Sequence, residues 1–173
     1  MSVLLAAGAL HHMNILEIVR HPWFISAISA FLGAQAIKFV SAWIRRRECD
    51  FREFFLAGGM PSSHSALVSA LASAIGFTDG FDEPYAMIAV GFGLIVLCDA
   101  VTLRREAGEH AKVLNIVVDK LNDRLDDDER IVVSKLKERL GHRRREVFAG
   151  AVFGVLVALS VCAVWDFWKW VRF

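Results

Sequence analysis

The sequence predicts an all-α, polytopic membrane helix bundle of about four transmembrane helices, with amphipathic helices on one side of the bilayer. Three observations carry this reading. Hydrophobic residues make up 55% of the 173-residue chain and its mean hydropathy is +0.45, above the norm for soluble domains. Four apolar runs fall at residues 23–44, 62–77, 85–103 and 147–165, and a bilayer core of about 30 Å needs roughly 20 helical residues. The charged residues are displaced into the gaps between those runs. A soluble bundle would instead have to hide three apolar runs of near-spanning length. The length fits one domain covering residues 1–173.

Residues 1–19 contain the apolar stretch Val3 to Leu10 with no basic residue before it and no small-residue cleavage site after it. This pattern predicts a short interfacial helix rather than a removed signal peptide. The first span, Trp23 to Ile44, carries Gln35 and Lys38 and is followed by Arg45, Arg46 and Arg47. The second, Ser62 to Phe77, is short and rich in Ser and Ala, which suits the inside of a bundle where backbones approach closely. The third, Tyr85 to Leu103, contains Asp99 and ends at Arg104 and Arg105. The fourth, Val147 to Trp165, runs into the aromatic cluster Trp165, Phe167, Trp168 and Trp170, as expected at a membrane interface.

Chain direction orders the faces. Residues 45–61 lie where the first span ends, and the acidic turn Thr78 to Pro84 lies opposite. The charged stretch Glu106 to Glu146 returns to the first side. Every basic cluster thus falls on one face, which the positive-inside rule makes cytoplasmic in a multi-pass cell (inner) membrane protein. Within an amphipathic cap at 107–140, Val113, Leu114, Val117, Val118 and Leu121 recur at helical spacing, and a second helix is expected from about Glu129 to Leu140. The run Asp126 to Glu129 reads as helix-capping and dipole chemistry rather than a metal site.

A net charge of +1 argues against a polyanion-binding role, so no nucleic-acid partner is expected. Cys49, Cys98 and Cys162 are far apart and form neither a disulfide framework nor a zinc motif. Four spans make a thin bundle, and a homodimer is expected on packing grounds.

Three polar sets meet at the cytoplasmic face. Lys38 and Arg45 are two turns apart on one helical face. A lysine inside a span either faces the bundle and functions, or snorkels to the interface; the sequence leaves both open. Next comes Gly58-Gly59-Met60-Pro61-Ser62-Ser63-His64-Ser65: a turn, a proline for the first helical position and serines for the cap. The free N–H groups and positive end of such a helix form an anion site, with His64 in its first turn. An ordinary N-cap explains the proline and one serine, but not the two glycines and the histidine. The third set is His142, Glu146, Gly150 and Gly154 at four-residue steps. Here Glu146 is placed to hold one imidazole nitrogen and leave the other as a nucleophile.

The order Lys-x6-Arg, Pro-Ser-x-His, then His-x3-acid followed by Gly-x3-Gly resembles the type 2 phosphatidic acid phosphatase and vanadium haloperoxidase superfamily. GGMPSSHSA, DAVTLRREAGEHAKVLN and LGHRRREVFAGAVFG are similar to its small, divergent membrane branch, with the likeness running from about Gln35 to Gly154. The resemblance implies that His142 attacks phosphorus and becomes a transient phosphohistidine, oriented by Glu146. It implies that His64 protonates the leaving oxygen and then activates water. Lys38, Arg45, Ser62 and backbone N–H groups near Ser63 would bind the phosphate oxygens, with no metal or other cofactor required.

Two departures stand out. Ser63 occupies a position that is usually glycine, and Leu136 stands where the family's third motif places an arginine, six residues before the histidine. Arg104 or Arg105 would supply the missing guanidinium, with Asp99 placed to orient Arg104; Arg139 is a weaker substitute. His110 has no motif partner, and His11, His12 and His21 lie near or beyond the far end of the first span. The expected function is hydrolysis of a lipid phosphate or pyrophosphate monoester, the partners being that substrate and the surrounding membrane lipids. The alternative is a non-catalytic protein that binds a phosphorylated lipid or anion. Vanadate-dependent halide oxidation is disfavoured, since nothing in the chain points to a peroxide or halide pocket.

Overall fold

The computed structural model describes residues 15–46, 59–126, 129–138 and 141–171. Among the described residues six helices follow one another: α1 (Ile15–Arg20), α2 (Pro22–Arg46), α3 (Ser63–Thr78), α4 (Pro84–Val101), α5 (Leu103–Asn122) and α6 (Arg144–Val171). No strand occurs among the described residues. Proline opens α2 and α4, where its missing N–H is no loss and its fixed φ suits the first turn.

Among the described residues three helical stretches are long and apolar enough to cross a membrane: Pro22–Ile44, Pro84–Asn122 and Arg144–Trp170. The remaining expected span, α3, has 16 residues, or about 24 Å of helix, and is short of a full crossing. It sits at the centre, packed against α2, α4 and α6. Of its residues, Ser63, Ser65, Ala66, Val68, Ala70, Ala72, Ser73, Ala74, Ile75 and Gly76 are buried.

The core joins Ala30 and Ala34 of α2, Ala66, Ala70 and Ala74 of α3, and Ala158 and Cys162 of α6, with Trp23, Phe153 and Val157 around it. With lipid outside, no water is expelled between helices, so close backbone contact through small residues holds them together. Glycines make that contact possible between α3 and α6. A Cβ on Gly150 would lie 2.3 Å from the carbonyl oxygen of Ser62, and one on Gly154 would lie 2.2 Å from that of Ala66. Large apolar side chains point outward instead, among them Ile37, Val40, Ile88, Phe92, Ile95, Phe148 and Leu156. In a bilayer those residues meet acyl chains.

The far end of the bundle is tied by Trp23, whose indole N–H donates to Thr78 Oγ1 at 2.7 Å and whose ring lies 5.7 Å from that of Tyr85.

The cap differs from expectation in two ways. The amphipathic helix begins at Leu103, directly after α4, with the break at Thr102 (φ −105°, ψ −82°). The Thr102 hydroxyl donates to the Cys98 carbonyl at 2.7 Å, a back-bond that favours bending a helix at such a junction. The second expected helix is not formed over the described residues 130–138, which have no regular secondary structure. The physical reason is competition for their backbone groups. Asn122 accepts from Ile131 N–H and donates to its carbonyl, at 2.8 and 3.0 Å, and Asn115 does the same for Leu136, both at 3.0 Å. These groups, held by side chains of α5, are not free for helical bonds. Asp126 and Glu129 form a turn before this segment, Glu129 N–H donating to the Asp126 carbonyl at 2.9 Å. Of residues 1–19, only Ile15 onward is described, and there a short exposed helix forms; Val3 to Leu10 lie outside the described residues.

Candidate active site

Ser62 caps α3. Its hydroxyl accepts from Ser65 N–H at 3.4 Å and from the Ser65 hydroxyl at 2.9 Å, and the residue is fully buried. Its own N–H donates to the Glu146 carbonyl at 2.9 Å. Ser62 thus caps α3 and, through its backbone N–H, joins α3 to α6. The Pro-Ser-Ser-His segment and the start of α6 are one assembly, joined backbone to backbone.

Lys38, two turns before the end of α2, is buried, and its ammonium donates to Ser63 Oγ at 3.2 Å. Its aliphatic stem runs beneath Gly59, whose φ of +84° suits glycine and whose added Cβ would meet Lys38 Cδ at 3.3 Å. Lys38 is thus directed into the bundle at the first turn of α3. Snorkelling is the reading this geometry disfavours. Ser63 is buried beside it at the helix start, where N–H groups and the positive dipole end favour an anion.

His64 is exposed, one residue further on, with its ring edge-on to Phe31 at 6.3 Å between centroids. His142 lies just before α6 and is 5% exposed. Its N–H donates to the Ala100 carbonyl at 3.1 Å, which fixes it against the end of α4. The preceding Gly141 has φ +83°, and its Cα sits so close to α5 that a Cβ would meet Arg105 N at 2.6 Å and the Arg104 carbonyl carbon at 2.9 Å. Only glycine fits that turn. His142 Nε2 is buried and has no hydrogen-bond partner among the described residues.

Glu146 plays a different local part from the one expected. Its Oε2 accepts from the Arg143 N–H at 3.1 Å, while the Arg143 carbonyl takes the Glu146 N–H at 2.8 Å. This is reciprocal capping, the third-turn-position acid reaching back to the cap residue. Its influence on His142 is through charge. Burial holds the His142 imidazole below the ordinary histidine range; Glu146 pulls it back up, while Lys38, His64 and Arg104 push it further down. The neutral, nucleophilic form is therefore the one the site favours near neutrality.

Among the described candidates for the missing guanidinium, Arg104 is the one whose charge reaches His142. Its Nε donates to Asp99 Oδ2 at 2.8 Å, as anticipated for an orienting acid. Arg105 is exposed and contributes backbone beneath Gly141. The side chain of Arg45 and all of Arg139 lie outside the described residues. Leu136 is 48% exposed and tethered through its backbone to Asn115. His110 is exposed on α5, and His21 stacks on Trp23 at the opposite end.

Lys38, Ser63, His142, Glu146 and Arg104, drawn from α2, α3, the turn before α6, α6 itself and α5, thus gather at one end of the bundle. Sequence reasoning missed Gly141, Thr102 and Asn115. Gly141 was signalled only by a glycine directly before the histidine, and Asn115 by a second asparagine seven residues on.

The model of the Divergent PAP2 family matches residues 19–157, a range that includes every group just named. YuiD of Bacillus subtilis (strain 168), described as an uncharacterized membrane protein, is 35% identical over 151 residues, spanning 83% of this chain and 96% of the relative. No solved structure matches.

Proposed function

Since the chain belongs to the Divergent PAP2 family, we propose that it hydrolyses a phosphomonoester or pyrophosphate on a membrane lipid through a phosphohistidine intermediate. The observation that carries this reading is His142: a buried imidazole favoured in its neutral form, one ring nitrogen without a partner, within the field of Lys38, His64 and Arg104.

In the first step a lone pair on His142 attacks phosphorus, and the bond from phosphorus to the lipid oxygen breaks with its electrons. His64 delivers a proton to that oxygen. In the second step His64 takes a proton from water, the hydroxide oxygen bonds to phosphorus, and the P–N bond breaks to restore the His142 lone pair. Inorganic phosphate leaves. Lys38, Arg104 and the first-turn N–H groups near Ser63 offset the charge on the three equatorial oxygens, which is the main demand phosphoryl transfer makes on a protein. Arg45, at the end of α2, is assigned the same task.

The head group of the substrate lies at the interface and its tail between helices. With the basic face cytoplasmic, an inner-leaflet lipid such as phosphatidic acid or a phosphatidylglycerol phosphate is favoured over undecaprenyl pyrophosphate. The test uses purified protein in detergent with each lipid phosphate and chelator present. Phosphate release is expected, and His142→Ala is expected to lower it by at least about 10³-fold. Saturable binding of these lipids with no turnover by the unaltered protein would replace the enzyme by a lipid-phosphate binder.

A further inference from the structure

Asn115 is a buried polar side chain that the proposed chemistry does not use. It lies on the face of α5 that also carries the buried small residues Gly108 and Ala111. Its amide is fully engaged with the returning chain. Nδ2 donates to the Leu136 carbonyl at 3.0 Å and to Glu138 Oε1 at 2.9 Å, and Oδ1 accepts from Leu136 N–H at 3.0 Å. Asn122 makes the equivalent pair with Ile131, but is more exposed, as is the Lys135–Asp119 ion pair between them.

The segment 131–138 therefore runs back along α5, antiparallel to it, toward the bundle. Its last described anchor before Gly141 and His142 is the one made by Asn115. At the other end of the loop, Gly141 rests on the backbone of Arg104 and Arg105, and His142 N–H bonds to Ala100. One helix thus holds both ends of the loop.

We infer that Asn115 is a positioning residue for His142: by gripping the backbone of Leu136 six residues upstream, it holds the loop that seats the imidazole against the α4–α5 junction. The same grip accounts for the departure at Leu136. The position that carries an arginine in the related motif is spent here as a backbone tether, while Arg104 on α5 is near the imidazole.

The inference rests on the proposed role of His142 for its kinetic reading only, so the decisive measurement is chemical. Purified protein in detergent is treated with diethyl pyrocarbonate, and carbethoxylation of each histidine is followed by mass spectrometry. In the unaltered chain His142 reacts slowly and the exposed His21 quickly. Asn115→Ala removes three part-buried hydrogen bonds, so loop opening and His142 modification are expected to rise roughly tenfold or more with His21 unchanged. Asn122→Ala, whose anchor is eleven residues upstream of His142, is expected to change the rate by less than about twofold. Asn115→Asp keeps the acceptor for Leu136 N–H but loses the donor, and is expected to fall between.

Where the protein turns over lipid phosphate, kcat falls in Asn115→Ala and KM holds, because Lys38 and Ser63 are untouched. Unchanged His142 modification in a folded Asn115→Ala chain overturns the inference. Equal effects of Asn115→Ala and Asn122→Ala do the same, since they reduce the clamp to general bracing. If Asn115→Ala fails to elute as a single folded species, Asn115→Asp decides by the same readout. A chain without phosphatase activity leaves this measurement standing and removes only the function above.

Discussion

The amide of Ser62 donates to the carbonyl of Glu146 at 2.9 Å, joining two motifs that lie 84 residues apart. Gly150 and Gly154 allow that joint, because a Cβ at either position would run into the α3 backbone. Gly150→Ala is therefore expected to cost about 1–3 kcal/mol, and Gly154→Leu more, since backbone oxygens cannot step aside as a side chain can. Gly91 provides the comparison: nothing lies within 4 Å of its Cβ position. Gly91→Ala should be neutral or stabilising by up to about 1 kcal/mol through helix propensity. Thermal unfolding in detergent, followed by circular dichroism, reads all three. A Gly150→Ala protein as stable as Gly91→Ala would contradict the close α3–α6 contact.

Arg104, oriented by Asp99, is expected to replace the motif arginine. Arg104→Ala should reduce phosphate release by about 10²-fold, on the scale of losing one charge-stabilising donor. Asp99→Asn should give a smaller loss, because it frees the guanidinium without removing it. Arg105→Ala should stay within a few-fold, as its contribution beneath Gly141 is backbone. Steady-state rates of the three variants test the assignment, and a larger loss at Arg105 than at Arg104 would reverse it.

The pH profile follows from His142. Its imidazole is held below the ordinary value of about 6.5, chiefly by burial. Protonation removes the lone pair, so the rate should fall as pH drops through the lowered pKa, while loss of the proton that His64 must deliver should give a second limb on the alkaline side. The acid limb of kcat/KM is thus expected below about pH 6.5. Glu146 pulls the pKa upward, so Glu146→Gln, which keeps an acceptor for Arg143 N–H, should move that limb to still lower pH. A limb that moves upward in this variant would mean that Glu146 does not act on His142 through its charge.

Topology is open to direct labelling. With the basic face cytoplasmic, Asp82→Cys in the acidic turn should react with a membrane-impermeant maleimide in intact cells, and Arg124→Cys at the end of α5 only after permeabilisation. Both are made in a chain whose Cys49, Cys98 and Cys162 are serine. The reverse pattern would place the site outside and turn attention to undecaprenyl pyrophosphate.

Hydrophobic length and turn chemistry made most of the bundle legible before any coordinates. The apolar runs located the long helices and the small-residue stretch 62–77 announced a helix that others enclose, although Pro61, expected at the first helical position, stands just before the Ser62 cap. The expected cap helix over 129–140 failed because local periodicity cannot register a partner elsewhere in the chain. Asn115 and Asn122 take up the backbone groups that a helix would have used, and neither asparagine is adjacent in sequence to what it binds.

The same division runs through the candidate site. Residue type and spacing identified Lys38, His64, His142 and Glu146, because a cation inside a span, a histidine in a first helical turn and a histidine four before an acid are local patterns. Which groups they face was decided in three dimensions. Lys38 bonds to Ser63, the Ser62 backbone joins α3 to α6, Glu146 caps its own helix, and Arg104 rather than Arg105 bears on His142. The α3–α6 joint depends on how closely two helices approach, a distance governed by Gly150 and Gly154 on α6 and the carbonyls of Ser62 and Ala66 on α3.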